Sequence, residues 1–237
     1  MRDAMDRPRN IVILTGAGIS AESGLATFRG PGGLWEGHRV EDVCTPEALA
    51  RDPALVLGFY DARRRALRDV TPNPAHRALA RLDAAWPGRL MIVTQNVDDL
   101  HERAGAKRLV HIHGELLSAL CRRCGGRSRF SGDMLEGPAC PNCGIDGGLR
   151  PDIVFFGEIP YHMETIERAL ADADLFVSIG TSGAVYPAAG FVQLARPAGA
   201  ETLELNLDPS AGSRLFDESR IGPAGVLVPA WAEEMLG

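Results

Sequence analysis

The chain has no apolar run long enough to span a bilayer, so no stretch of it reads as a transmembrane helix. Its first residues, Met1-Arg2-Asp3-Ala4-Met5-Asp6-Arg7, are charged and lack the apolar stretch of a secretory signal, so the expected compartment is the cytoplasm. Positive charge is not in excess either. Lys and Arg number 25 against 31 Asp and Glu, and the formal net charge of −6 argues against bulk binding to nucleic acid or to an anionic membrane. There is no internal repeat and no low-complexity segment. What remains is an ordinary globular composition, 45% hydrophobic and 24% charged over 237 residues, which suits one large α/β domain with room for a small insertion.

The stretch Gly16-Ala17-Gly18-Ile19-Ser20-Ala21-Glu22 follows the apolar run Ile11-Val12-Ile13-Leu14, which reads as a buried strand. Gly16 and Gly18 are expected to take positive φ and to let a ligand approach the backbone. Ser20 offers an N-cap for a short helix. Strand, glycine turn and helix start make an anion site of phosphate size, and the spacing fits a permitted form of the dinucleotide fingerprint. A turn of this kind also occurs for packing reasons, and the motif alone does not decide. The helix is then cut short by Ala26-Thr27-Phe28-Arg29-Gly30-Pro31-Gly32-Gly33-Leu34-Trp35, too rich in glycine for helix or strand, which suits a loop closing over a ligand.

Cys121-Arg122-Arg123-Cys124 and Cys140-Pro141-Asn142-Cys143 are two C-x2-C pairs separated by positions 125 to 139, within the spacing of a zinc site. Four thiolates close a tetrahedral shell with no open position, so the zinc is expected to be structural. Disulfides are disfavoured by the expected compartment. Arg122, Arg123, Arg127 and Arg129 keep a nucleic-acid-binding ribbon open as an alternative. Cys44 lies outside the pattern and reads as an ordinary small side chain.

Other segments read as scaffold with polar ends. Thr45 and Pro46 open one helix and Asp52-Pro53 another, along which Leu55, Val56, Phe59 and Tyr60 fall at helical spacing before Arg63, Arg64 and Arg65. Tyr60 and Arg63 share a helix face, and from the residues alone they read as a solvated basic patch beside a buried ring. Asn73 to Leu82 is an amphipathic helix with Ala75, Leu79 and Leu82 on one side, and His76 in it reads as structural. Leu90 to Thr94 is a second buried strand. Gln95-Asn96-Val97-Asp98 sits at its carboxyl end, where ligands bind in open α/β sheets. In Leu109-Val110-His111-Ile112-His113-Gly114-Glu115, strand parity puts both histidines on one face as candidate general bases without choosing between them. Arg150-Pro151 leads into the apolar Ile153-Val154-Phe155-Phe156, followed by Gly157-Glu158. Strands are expected at Leu175–Ile179, Glu201–Asn206 and Val226–Val228. Helices are expected at about 187–195 and 230–236. Gly180-Thr181-Ser182 and Asn206-Leu207-Asp208 again lie at carboxyl ends.

Taken together, these motifs resemble the sirtuins, NAD-dependent protein lysine deacylases, from about Asn10 to about Leu236. The resemblance implies a Rossmann-like parallel-sheet lobe of about residues 8–33, 72–114 and 151–237. A smaller lobe would be built from a helical insert of about 34–71 and a zinc-ribbon module of about 115–150. It implies that NAD is held by Gly16, Ala17, Gly18, Ser20, Glu22, Thr27, Phe28, Arg29, Trp35, Gln95, Asn96, Val97, Asp98, His113, Gly180, Thr181, Ser182, Asn206, Leu207, Asp208 and Ala224. His113, directly before Gly-Glu, would be the general base and Asn96 a second catalytic residue. Val154 to Glu158 would pair with the substrate peptide as an added strand, although many members have Trp where this chain has Phe155. Tyr60 and Arg63 would bind the distal carboxylate of a succinyl or malonyl group, for which the planar guanidinium is suited. The implied reaction consumes NAD: the acyl oxygen attacks the ribose carbon and nicotinamide leaves, a ribose hydroxyl then attacks the resulting amidate carbon, and water completes the release of free lysine and 2′-O-acyl-ADP-ribose. The expected partners are acylated-lysine proteins or peptides, with no nucleic acid and no membrane, and the expected state is a monomer. A nicotinamide oxidoreductase is the alternative from another reaction class.

Overall fold

A computed structural model describes residues 8–27, 34–35 and 37–237. Phe28 and Arg29 lie outside the described residues, and Trp35 is described in its backbone only.

The strands are β1 (Asn10–Thr15), β2 (Leu34–Trp35), β3 (His38–Arg39), β4 (Arg89–Thr94), β5 (Leu109–His111), β6 (Gly114–Cys121), β7 (Arg127–Arg129), β8 (Leu149–Ile153), β9 (Leu175–Ile179), β10 (Glu201–Asn206) and β11 (Glu218–Ile221). The helices are α1 (Gly18–Ala21), α2 (Val40–Val43), α3 (Pro46–Arg51), α4 (Pro53–Ala66), α5 (Pro74–Ala85), α6 (Leu100–Ala104), α7 (Met163–Ala171), α8 (Phe191–Ala195) and α9 (Ala224–Leu236).

Six strands form one parallel sheet in the order β11-β10-β9-β1-β4-β5. Strand alternation along β1 sends Ile11 and Ile13 to one face and Val12 and Leu14 to the other, and all four are buried. The first face is covered by α5 and α9 through Ala75, Leu79, Leu82, Val228 and Trp231. The second is covered by α7 and α8 through Ile166, Leu170, Phe191 and Val192. This three-layer burial is why β1, β4 and β9 are near-continuous apolar runs. The chain builds outward from β1 through β4 to β5, then returns to the other side of β1 at β9. The crevice between the carboxyl ends of β1 and β9 is therefore the topological switch point.

A second sheet, β7-β6-β8, is antiparallel and carries the four paired cysteines at its end. Helices α2 to α4 pack against it through Val43, Val56, Phe59 and Tyr60, which meet Leu116, Ile153 and Phe155. The capping reading holds at Thr45 and Asp52, whose side chains accept from Ala48 N and Leu55 N.

Three expectations are corrected. Ser20 does not cap α1 but lies inside it. Val226–Val228 is helix, not strand: Val228, Trp231 and Ala232 share the face that packs on α5, and the edge of the sheet is taken by Glu218–Ile221 instead. The run Arg63-Arg64-Arg65 is not uniformly solvated. Arg64 is almost wholly covered and pairs with Asp61 at 2.7 Å, while its Nε donates to Leu116 O. Asp61 in turn accepts from Met134 N and Leu135 N, which ties α4 to the cysteine-bearing module.

Candidate active site

The two glycine turns at the switch point fit into each other. Gly16 N donates to Ile179 O at 3.0 Å and Gly18 N to Gly180 O at 2.8 Å. A Cβ on Gly18 would stand 2.7 Å from Gly180 Cα, and one on Gly180 would stand 2.5 Å from Ile19 N. Of the three, only Gly180 has positive φ, at 62°. Glycine is thus required at 16 and 18 by close backbone packing, and the expectation of positive φ there is not met.

A cleft of about 890 Å³ opens above these turns and runs to the second sheet. It brings together Gly16, Ala17, Gly18, Ser20, Glu22 and Thr27 from the first turn, and Gln95, Asn96, Val97 and Asp98 from the end of β4. His113, Gly180, Thr181, Ser182, Asn206, Leu207, Asp208 and Ala224 line the same cleft. Val154, Phe155, Phe156, Gly157 and Glu158 form the opposite wall, with Arg63 at its back.

The floor is a buried polar network. Asn96 donates its amide to Gly16 O at 3.1 Å and to Ser20 Oγ at 3.0 Å. Ser20 donates to Asp98 Oδ2 at 3.0 Å, and His76 Nε2 approaches the same hydroxyl at 3.4 Å. The other oxygen of Asp98 accepts from Leu100 N, the first residue of α6, although the cap position itself is Asp99, so Asp98 ties the start of that helix to the cleft. Burial raises the Asp98 carboxyl from its ordinary value, partly offset by these hydrogen bonds and by the nearby His111. His76 completes a capping box with Asn73, and burial pushes it down to about 4.

The structure separates the two histidines that strand parity left equal. His113 lines the cleft, and its Nδ1 meets Gln95 O at 3.2 Å. Burial lowers its pKa, with the Gln95 carbonyl acting the other way. The imidazole is therefore neutral near pH 7, with Nε2 the nitrogen left to take a proton. Gly114, at φ 83°, turns the chain directly after it, and a Cβ there would collide with Asp152 O. His111 lies outside the cleft lining and is bound to Glu102 and to the Asn96 carbonyl.

Tyr60 and Arg63 part company. Arg63 lines the cleft, whereas Tyr60 is fully covered, stacked on Phe155 with ring centroids 5.8 Å apart. Burial raises the phenol well above its usual range, and the neighbouring Cys44 thiol acts in the same direction. Cys44 itself lines the cleft, which its reading as an ordinary small side chain missed. Pro160, Val185, Tyr186 and Ser210 also contribute to the walls without any sequence signal that marks them. The segment 153–158 is held by Arg150, which grips both oxygens of Glu158 at 2.7 Å and lies 4.1 Å above the Phe155 ring. That grip and the Phe155 N–H outweigh burial and lower the Glu158 carboxyl.

The four paired cysteines converge, with all sulfurs within 4.8 Å of one another. Cys121 and Cys143 Sγ are 3.8 Å apart, and Cys124 and Cys140 Sγ 3.9 Å. A tetrahedron with bonds of about 2.3 Å has edges of about 3.8 Å, so the set fits one structural zinc. These separations are far longer than a disulfide, at about 2.05 Å. Backbone N–H groups of Arg123, Gly126 and Asn142 point at three of the sulfurs, which supports thiolates. No helix among the described residues is long and apolar enough to cross a membrane.

Comparison with known proteins agrees with this geometry. Residues 16–187 match the model of the Sir2 family. An NAD-dependent protein deacylase of Bdellovibrio bacteriovorus is 56% identical over 230 residues, covering 96% of this chain and 97% of that one. Among solved structures, a Sir2 homolog–NAD complex superposes with a TM-score of 0.88 at 35% identity, covering 97% of this chain and 91% of that one. A Sir2–p53 peptide–NAD+ complex superposes with a TM-score of 0.81 at 28% identity, covering 97% and 95%. The chain belongs to the Sir2 family.

Proposed function

We propose that this protein is an NAD-dependent protein lysine deacylase that removes acetyl, and also succinyl and malonyl, groups from protein side chains. One observation carries the reading. A single cleft is lined by the glycine turns of a dinucleotide-type switch point, by Asn96, Asp98 and His113, and by the guanidinium-bearing Arg63. The similarity to deacylases and to Sir2 complexes with NAD and with peptide supports the same reaction.

In this reading NAD is a substrate, consumed in the reaction. The turns at 16–18 and 180–182 hold its phosphates, and Asn206 to Asp208 with Ala224 hold the adenosine end. Glu22, Thr27, Gln95, Val97, Phe28, Arg29 and Trp35 complete that binding set. The Asn96 amide nitrogen is already committed to Gly16 and Ser20, so its side-chain oxygen is the group that meets the nicotinamide ribose. Asp98 orients the carboxamide. His113, neutral at working pH, accepts the proton of a ribose hydroxyl, which activates that oxygen toward the acyl carbon. The peptide backbone pairs with 154–158 as an added strand. Arg63 binds the distal carboxylate of an acidic acyl chain, with Tyr60 next to it on the same helix.

The substrate lysine enters between two lobes. The larger comprises about residues 8–33, 72–114 and 151–237, and the smaller about 34–71 and 115–150. Separate apolar clusters for the parallel sheet and for α2 to α4 support the division. Five thiols outside any disulfide fit a reducing compartment, the cytoplasm. The negative net charge disfavours nucleic acid as partner, and the enzyme acts as a monomer.

The test is a panel of acylated peptides with NAD, read by mass spectrometry. Nicotinamide and 2′-O-acyl-ADP-ribose in equal amounts with free lysine are expected. Formation of NADH, or peptides left acylated across the panel, overturns the proposal.

A further inference from the structure

The roles proposed above use Asn96 and Asp98 but not the histidine behind them. His111 ends β5 with its ring buried. Its Nδ1 lies 3.0 Å from the main-chain oxygen of Asn96, and its Nε2 lies 2.7 Å from Oε1 of Glu102 on α6. Both partners are acceptors. A neutral imidazole has one N–H and would turn a lone pair toward one of them, whereas the imidazolium satisfies both.

The surroundings favour that cation. Burial opposes it, but the hydrogen bond and charge of Glu102, the Asn96 carbonyl and the charge of Glu115 on β6 outweigh burial and raise the pKa. Asp98, in the loop after β4, also feels the His111 charge, and His101 on α6 is held neutral by burial.

Asn96 is pinned by four hydrogen bonds through three of its atoms. Its N–H donates to Thr94 Oγ1 at 3.1 Å, its side-chain amide to Gly16 O and Ser20 Oγ, and its carbonyl accepts from His111. The first three join groups that do not titrate near neutral pH. The fourth is the contact through which proton occupancy reaches the segment.

We infer that His111 is a positioning residue for cleavage of the nicotinamide–ribose bond: as a cation bridging Glu102 to the Asn96 carbonyl, it holds segment 95–98 in the placement that Asn96 and Asp98 require. It touches neither substrate and acts through the backbone of Asn96. The inference rests on the role proposed for Asn96.

The consequence is a bell-shaped pH dependence with two owners. His113 works when neutral, so its contribution is lost as pH falls through its lowered pKa. His111 works when charged, so its contribution is lost as pH rises through its raised pKa.

The test is nicotinamide release from NAD with an acetylated peptide, followed from about pH 5 to about pH 10. Glu102→Gln keeps size and an acceptor oxygen but removes the charge. It is expected to move the alkaline limb down by about one pH unit while the acid limb stays. His111→Phe is expected to lower kcat about tenfold or more and to erase that limb, with the peptide KM within about twofold. His111→Gln, whose amide reaches the Asn96 carbonyl, recovers part of kcat without restoring the limb. An unmoved alkaline limb in Glu102→Gln overturns the inference, as does a wild-type pH profile in folded His111→Phe. Asn96→Ala in the same assay separates the two readings. Full turnover there removes the role given to Asn96, and a missing shift in Glu102→Gln removes the role of His111 alone.

Discussion

The rings of Tyr60 and Phe155 stack at 5.8 Å with 22° between their planes, so the helix that carries Arg63 and the segment proposed to pair with the peptide form one packed unit. The guanidinium of Arg150 lies over Phe155, and Phe155 and Arg63 both line the cleft. The acyl-group and peptide roles proposed for these residues would therefore share a foundation.

Arg63→Met should separate acyl groups. A hydrogen bond to a charged group is worth about 1.5–3 kcal/mol, so removal of succinyl should fall by about 10- to 100-fold in kcat/KM. Removal of acetyl, which has no distal charge, should stay within about twofold. Rates on matched succinyl and acetyl peptides check this. Equal losses on both would show that Arg63 supports the wall and does not read a carboxylate.

His113→Asn should lower deacylation by about 10²- to 10⁴-fold, the usual contribution of a general base, while NAD binding measured by calorimetry persists. Because burial lowers the His113 pKa, the wild-type enzyme should hold its rate below the ordinary histidine range before the acid limb sets in.

Much of this was legible in the residues, and most of what was not depends on contacts distant in the sequence. β1 and β9 are visible as apolar runs, and the four cysteines as two spaced pairs. The reason for Gly16 and Gly18 is not, because it lies in Gly180, far along the chain. Arg64 reads as one of three solvated arginines until Asp61, Leu116 O and Gly132 O close around it. Val226–Val228 has strand-forming residues, yet packing of Trp231 on α5 makes it helix. Parity placed His111 and His113 on one face, but β5 ends at His111 and the chain turns at Ile112-His113, which separates their surroundings. In the earlier cases a distant partner decides, and in the last the end of the strand; local pattern records neither.

Removing the metal should destabilise the small sheet first. The zinc-binding energy is folding energy here, because Cys121 and Cys140 are also buried members of the apolar cluster with Met134 and Leu149. Chelator treatment should lower the melting temperature and expose the 114–153 region to hydrogen exchange before the parallel sheet. Simultaneous exchange of both sheets would contradict a separable module.

Asp61→Asn should cost about 3–5 kcal/mol of stability, the usual penalty for leaving a buried charge unpaired. Arg64 is 1% exposed at its side chain and burial already lowers its pKa, so the guanidinium left behind has no route to water. Replacing both residues, Asp61→Leu with Arg64→Met, should recover part of the loss by removing the charges together. Urea unfolding of the three proteins checks the order.

Stability should also fall on the acid side before the carboxylates titrate. His76 is buried, and its folded pKa is pushed down to about 4 against 6.5 when exposed. Between those values the unfolded chain binds a proton that the folded chain does not, so stability rises with pH across that window and is lost as pH falls through it. At about 1.4 kcal/mol per unit, the loss from His76 alone approaches about 3 kcal/mol at the lower end. His101, lowered by burial and by the neighbouring His76 and His111, adds to it in the same direction. His76→Gln removes one of these protons, so the slope of unfolding free energy against pH should become shallower by up to one proton between pH 4 and 6.5. If the variant keeps the wild-type slope, His76 is protonated in the folded protein, and its 3.4 Å approach to Ser20 Oγ is then a donated hydrogen bond from a cation.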